Sequence, residues 1–359
     1  MLNSLDIRNY RNLKELKINS LGRVNLVTGK NNTGKSTLLE AIAIFATKGD
    51  STLIYQLLEE RGEIPTQFKP IHITPKVLSA LFNNRNIKFD IKDAILIGSL
   101  DYVSLRLVKY VIETHKDEVG IKSIKRKILQ NDTDKTQDYK IGLEIKSDTG
   151  LNFISLENDI SYGYGYDPTT INKSVQFIRT RNVTRDINGN LFDSIALTDK
   201  EQYVIDALKI IEPLTERIAF VDENSNGRSA VIKLSNSQQI LPLQSMGDGI
   251  NRILTIILAM VNSDNGYLLI DEFENGLHYT VQEKLWKIIF KLSKDLNIQV
   301  FATTHSEDCI NGFQRILNNS DDLSAGKLIR LDNKNGVIKQ VEFDASDLKI
   351  ATEQDIEIR

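Results

Sequence analysis

One cysteine, Cys309, stands in 359 residues. A disulfide framework within the chain is excluded, and a reducing cytosol is the natural setting. Basic charge is not in excess either: 45 Lys and Arg against 48 Asp and Glu leave a net charge of −3. No global positive field draws the chain onto nucleic acid, which leaves a local basic patch as the electrostatic route there. Long apolar runs are missing too. The longest, Ile253–Val261, is too short to cross a bilayer, and the N-terminal MLNSLDIRNYRN is charged where a signal peptide needs an apolar core. The expectation is a soluble, cytoplasmic chain with no membrane contact. Heptad arrays and internal repeats are also lacking. What remains is an ordinary globular composition, long enough for one large or two moderate domains with a sizeable core.

Against these absences one stretch is dense with meaning. Val24 to Ala41 reads VNLVTGKNNTGKSTLLEA and contains G-x-x-x-x-G-K-[ST], the phosphate-cradling P-loop pattern. Gly29 and Gly34 let the backbone turn tightly enough for its N–H groups to face phosphate oxygens along Lys30, Asn31, Asn32 and Thr33. The helix that follows adds its positive dipole end. Lys35 brings a point charge to the β- and γ-phosphates; the Ser36 hydroxyl suits Mg²⁺, with Thr37 beside it. An apolar strand (Val24, Leu26, Val27) leads in, and a helical run from Leu38 to Phe45 leads out.

Ahead of the loop, strands are expected around Leu5–Ile18. The segment Arg8-Asn-Tyr-Arg-Asn12 reads either as a cation and aromatic edge near a nucleotide or as a solvated strand edge. From residue 50 onward the pattern mixes helical candidates (Leu53–Glu60, Pro75–Phe82) with strand-like runs (Ala94–Ile97, Val103–Val111). The charged stretch Lys116–Lys127 reads as a solvated face rather than a nucleic-acid site, because no aromatics are interleaved with its charges. Asn131–Asp138 is a polar loop. Tyr139–Ser147 and Leu151–Leu156 read as a hairpin, and Ser161–Pro168 as a surface loop rather than a base-stacking one. Val175–Ile178 is a strand, Thr198 and Asp199 cap a helix, and Ala219–Val221 pairs with Ala230–Leu234 around Asp222–Arg228.

Two further segments carry chemistry. Ser245-Met-Gly247-Asp248-Gly249 precedes an apolar helix from Ile250 to about Asn262; small residues exposing N–H groups at a helix start form a second anion-receptive turn. Tyr267–Ile270 is a buried parallel strand ending in Asp271-Glu272, at the sheet edge where open α/β folds put their chemistry. Asp271 suits Mg²⁺, and Glu272 suits a general base for water attacking a γ-phosphate. After a helix at about Thr280–Leu296, the strand Ile298–Ala302 ends in Thr-Thr-His305-Ser, which puts His305 at the same edge as a γ-phosphate sensor.

In this order, the P-loop, SMGDG turn, LLIDE strand and TTHS strand end resemble the ABC-type ATPase heads of the SMC, RecF and OLD groups, most of all the compact AAA family ATPases of bacteria, often found in anti-phage defence loci. The resemblance covers residues 1–50 and 215–310 well, and 50–190 by position only. It implies an α/β P-loop NTPase head with a mixed sheet and helices on both faces, formed by 1–50 and 190–359, with an inserted α+β lid or dimerisation subdomain at 51–189. It also implies ATP and Mg²⁺ as cofactors and a homodimer, or a larger assembly, that sandwiches ATP. Gly29 to Thr37 would then bind nucleotide in cis, and the signature turn Ser245, Gly247, Asp248 and Gly249 would meet the partner copy's γ-phosphate. Ser36 and Asp271 would hold the metal, Glu272 would be the base, His305 the switch residue, and Glu274–His278 the loop communicating across the dimer.

The chain departs from that pattern in places. Met246 stands at the signature's second glycine and Asp248 at its glutamine, while His278 replaces the aspartate of transporter ATPases, which argues against that branch. Gln56 and Gln67 both remain candidates for the glutamine loop. The chain beyond His305 is too short for the Toprim nuclease of OLD enzymes, so any nuclease or toxic activity is expected from another chain. The first function implied is an ATP-dimerised sensor or scaffold controlling a separate effector in phage defence. The alternative is a RecF- or SMC-like repair or clamp ATPase binding nucleic acid, and a transporter's coupling subunit comes third.

Overall fold

The computed structural model describes residues 1–64, 73–116, 122–129, 138–156, 174–179, 185–222, 228–247, 249–354 and 358. Asp248, Gln67, the Ser161–Pro168 loop, residues 131–137 of the polar loop, 223–227 of the hairpin and 117–121 of the charged stretch lie outside the described residues. Packing divides the chain into two compact units, one of Met1–Ser4, Ile18–Leu39 and Asn172–Arg359, the other of Leu5–Lys17 and Glu40–Ile171.

The first unit is built on a six-stranded sheet. Its order is Val337–Phe343, Gly326–Lys334, Val24–Thr28, Gln299–Thr303, Tyr267–Ile270 and Val175–Ile178. The first pair is antiparallel and the other neighbours are parallel. Val24–Thr28 and Gln299–Thr303 are buried at every residue, as strands covered on both faces must be, and they read as continuous apolar runs rather than alternating ones. The parallel register puts Val27 beside Thr303 and Ile270 beside Ala302. The carboxyl ends of the P-loop strand, the TTHS strand and the LLIDE strand therefore share one edge.

Helices of this unit bury stripes spaced by their own period. Tyr279–Asp295 buries Gln282, Leu285, Trp286, Ile288, Ile289 and Leu292, an apolar face at three- and four-residue spacing. The Trp286 ring stacks on Phe273 with centroids 4.2 Å apart, meets Phe313 edge-on at 5.1 Å, and donates from Nε1 to the Cys309 carbonyl at 3.1 Å. This aromatic knot lies directly behind the Asp271-Glu272 turn. A smaller antiparallel sheet, Thr215–Asp222 with Arg228–Leu234 and Ile240–Pro242, runs into a tight turn at Leu243–Met246 and then into the buried helix Gly249–Asn262.

The second unit is a seven-stranded sheet of Leu13–Ile18, Leu5–Tyr10, Ile95–Gly98, Tyr102–Lys116, Lys140–Ser147 and Gly150–Ser155 in that order, with Lys122–Ile128 pairing to Tyr110–Lys116. Alternation is visible in Val103, Leu105 and Leu107, all buried. In the Arg8–Asn12 segment, Arg8 and Asn12 are solvated, but Tyr10 and Arg11 fit neither reading offered above. Tyr10 is fully buried and donates to Glu40 at 3.1 Å, and Arg11 pairs with Glu40 at 2.9 Å while donating to the carbonyls of Leu57 and Ala80. A second cation, Arg61, meets the other Glu40 oxygen at 2.8 Å. Tyr10 and Arg11 serve a buried ion-pair network, while Arg8 is solvated and pairs with Asp6 at 2.7 Å.

Candidate functional site

The Val24–Thr28 strand delivers the chain into a loop whose backbone alternates in sign: Gly29 at φ 135°, Asn32 at 61° and Gly34 at 90°. Such alternation aims successive N–H groups into one concavity, the nest that binds anions. Glycine is obligatory at position 29, where a Cβ would stand 2.3 Å from the Leu331 carbonyl oxygen. Thr33 Oγ1 donates to the Lys30 carbonyl at 2.9 Å, bracing the loop from within, while Lys30, Asn31 and Asn32 face solvent. Lys35, Ser36 and Thr37 form the first turn of the helix Lys35–Ala46. Lys35 Nζ donates to the carbonyls of Gly29 at 2.8 Å and Lys30 at 2.9 Å. Burial pushes its pKa down to about 8, against the pull of Asp271, Glu274 and Glu272.

Across the shared edge, Asp271 accepts through Oδ1 from Ser36 Oγ at 3.1 Å and from Thr303 Oγ1 at 2.7 Å. Thr303 Oγ1 in turn accepts from the Glu272 N–H at 2.9 Å. One buried hydroxyl thus joins the two carboxylate-bearing residues. Glu272 is held at φ 50°, a left-handed conformation that costs an L residue about 1–2 kcal/mol. Glu274 grips the next strand end with both oxygens, accepting from Thr304 Oγ1 and from the His305 N–H, each at 2.7 Å. The His305 imidazole is pushed below its ordinary pKa by burial first and by Lys35 second, with the three carboxylates opposing. It is therefore neutral at neutral pH.

The signature turn is arranged differently. Ser245 Oγ donates to the Pro242 carbonyl at 2.7 Å within its own turn, and Gly247 is exposed at φ 109° with open space where a Cβ would stand. Gly249 opens the buried helix, and a Cβ there would meet the Gly276 carbonyl at 3.0 Å. The turn therefore abuts the Glu274–His278 loop, whose His278 Nδ1 caps the helix Tyr279–Asp295 by accepting from the Thr280 N–H at 3.4 Å.

Of the residues singled out from sequence, the structure brings together Gly29 to Thr37, Asp271, Glu272 and His305. Ser245, Gly247 and Gly249 lie in a separate turn of the same unit. Two residues with structural leverage were missed, Thr303 and Arg252, and Glu274, read only as the start of the loop communicating across the dimer, has a further contact. Thr303 and Glu274 act through contacts across more than twenty residues of chain, which local spacing does not reveal. Arg252 had a signal: it is the single charged residue of Gly249–Asn262, and it is buried against main-chain carbonyls of Arg179, Asp271 and Glu272.

The Ser36 hydroxyl and Asp271 carboxylate are hard oxygen donors in contact, the donor set of an Mg²⁺ that takes its other ligands from phosphate and water. Consistent with that division, no three of His, Cys, Asp or Glu among the described residues are grouped to hold a metal by themselves.

A family model described as "AAA domain, putative AbiEii toxin, Type IV TA system" matches residues 24–308, from the P-loop strand to just past His305. The chain belongs to this AAA family. Over 353 residues it is 23% identical to an "ATP/GTP phosphatase" of Helicobacter pylori, covering 92% of each chain. It is 32% identical over 109 residues to the DNA replication and repair protein RecF of Rickettsia conorii, a match spanning 24% of this AAA chain and 30% of RecF. A crystal structure of an SMC head bound to the C-winged helix domain of ScpA aligns with a TM-score of 0.50 at 12% identity, covering 98% of this chain and 99% of the other. At that identity the likeness is one of fold. By family the chain is an AAA-domain protein, and its fold is like that of SMC heads.

Proposed function

We propose that this AAA chain binds and hydrolyses ATP in composite sites formed by two copies, and that the ATP-bound pair is a sensor or scaffold controlling a separate effector protein in defence against phage. The observation that carries the catalytic part is the hydrogen-bonded chain Ser36–Asp271–Thr303–Glu272. It ties the P-loop helix to the Asp271 carboxylate and to the main chain that carries Glu272, at the carboxyl edge of the sheet where phosphoryl chemistry needs them. In this reading the Gly29–Thr37 nest and Lys35 cradle the phosphates. Ser36 and Asp271 would hold Mg²⁺, which would supply neutralisation of the phosphates' negative charge. Glu272 takes the proton of the attacking water. Neutral His305 offers a hydrogen bond toward the γ-phosphate. The turn of Ser245, Gly247, Asp248 and Gly249 supplies N–H groups to the nucleotide of the second copy.

Solution mass with Mg²⁺ and ATP tests the composite site. Glu272→Gln should trap an ATP-dependent dimer, and adding Ser245→Arg should abolish it while leaving ATP binding intact. Mass indifferent to ATP in wild type and both variants would place the protein among single-site P-loop enzymes. A second reading, a nucleic-acid-binding repair or clamp ATPase, is favoured by the RecF match; it calls for ATP-dependent DNA binding by the same dimer.

A further inference from the structure

Arg252 is 8% exposed, and among the described residues its guanidinium makes no ion pair; its acceptors there are three main-chain carbonyls. Nη1 donates to the Arg179 carbonyl at 3.3 Å, and Nη2 to the carbonyls of Asp271 at 3.1 Å and Glu272 at 3.5 Å. These carbonyls follow directly on two neighbouring parallel strands, Val175–Ile178 and Tyr267–Ile270. Nε is buried with no hydrogen-bond partner. A buried cation that leaves a donor unmet is costly where leucine or methionine would pack without penalty, so packing alone does not account for it. The planar fork reaches two strand ends at once, which a single ammonium does not.

The main chain it grips is the one that orients Glu272. At φ 50° that residue holds a conformation which persists only where its surroundings over-determine it. Its N–H is bound by Thr303 on one side, and its carbonyl accepts from Asn275 at 3.0 Å as well as from Arg252 on the other. Arg252 lies one helical turn after Gly249, so the same side chain moves with the start of the signature helix.

We propose that Arg252 is a positioning residue for Glu272: its guanidinium ties the first turn of the signature helix to the Asp271-Glu272 main chain, so that the Glu272 carboxylate keeps its working direction only while that helix start is seated. The inference rests on Glu272 acting as the base in ATP hydrolysis. It links, inside one chain, the turn that meets the second copy's nucleotide to the base that serves the chain's own.

ATP affinity and turnover, measured separately on the full chain, decide the matter with Arg252→Lys, Arg252→Gln, Glu272→Gln and the double variant Glu272→Gln/Arg252→Lys. Both arginine variants should bind ATP within about threefold of wild type while kcat falls about 10- to 100-fold, as expected when a reacting group is misplaced. Adding Arg252→Lys to Glu272→Gln should lower kcat no further, because the arginine acts through a group already removed. Losses that multiply in the double variant, or wild-type kcat in Arg252→Lys, overturn the proposal; so does failure of both arginine variants to fold, which marks a purely structural cation. A wild type that hydrolyses no ATP, or full activity in Glu272→Gln, instead overturns the reading of Glu272 as base and takes this inference with it.

Discussion

Lys35 has two backbone carbonyls of its own loop as partners and a pKa pushed down to about 8 by burial. A phosphate in the nest replaces those carbonyls and favours the ammonium, so nucleotide binding above pH 8 has to take up a proton. ATP affinity should therefore be level below about pH 8 and weaken toward tenfold per pH unit above it. Lys35→Arg, which stays charged, should bind without that slope, and a pH-independent dissociation constant for wild type would rule the coupling out. Without nucleotide the sign for stability is opposite. The folded pKa lies below the ordinary 10.5, so this group's contribution improves as pH rises from about 8 toward that value. At this scale the sequence was most legible where function is written in contiguous residues: the glycine spacing of the P-loop, the Asp-Glu pair after an apolar strand, the histidine after another. Thr303 stood in plain view in the TTHS run, but its hydroxyl bridge to Asp271 and to the Glu272 N–H belongs to the parallel register of two strands, which no single segment encodes.

At the scale of elements, apolar strands and periodic helices were readable because burial on both faces or on one stripe leaves a mark on composition. Val103–Val111 was recognised but runs to Lys116, where pairing with Lys122–Ile128 extends it beyond its own apolar pattern. The Pro75–Phe82 helix closes at Ser79, and Phe82 bridges to Tyr10 instead. Neither reading of the Arg8–Asn12 segment describes Tyr10 and Arg11, because the partner that buries Arg11 is Glu40, on a helix far along the chain. Arg11 and Glu40 have side chains each 8% exposed, whereas Arg61, on the other Glu40 oxygen, is 38% exposed. Glu40→Gln strands a buried guanidinium and should cost about 3–5 kcal/mol, whereas Arg61→Met should cost under about 1 kcal/mol. Urea denaturation of the two variants gives the comparison, and a loss in Glu40→Gln no larger than that in Arg61→Met would mean that Arg11 is not stranded without its carboxylate.

For the whole molecule, the question is whether an ATP-bound pair engages DNA or a protein. Charge weighs against DNA as a general ligand, since 45 basic and 48 acidic residues give no net attraction to phosphate. The RecF match covers only 24% of the chain, too little to carry a shared DNA surface. A local patch would still show itself in salt dependence, because each neutralised phosphate contributes about −0.9 to the slope of log affinity against log salt. We expect the Glu272→Gln dimer with ATP to bind duplex DNA more weakly than about 10⁻⁴ M at physiological salt, below the usual range even of non-specific DNA-binding proteins. Fluorescence anisotropy across a salt series measures both quantities. Tight, ATP-dependent binding with a slope near about −5, the signature of some six phosphate contacts, would transfer the dimer from effector control to the clamp reading. A flat, weak response leaves a protein surface as the partner that the ATP-bound pair presents itself to.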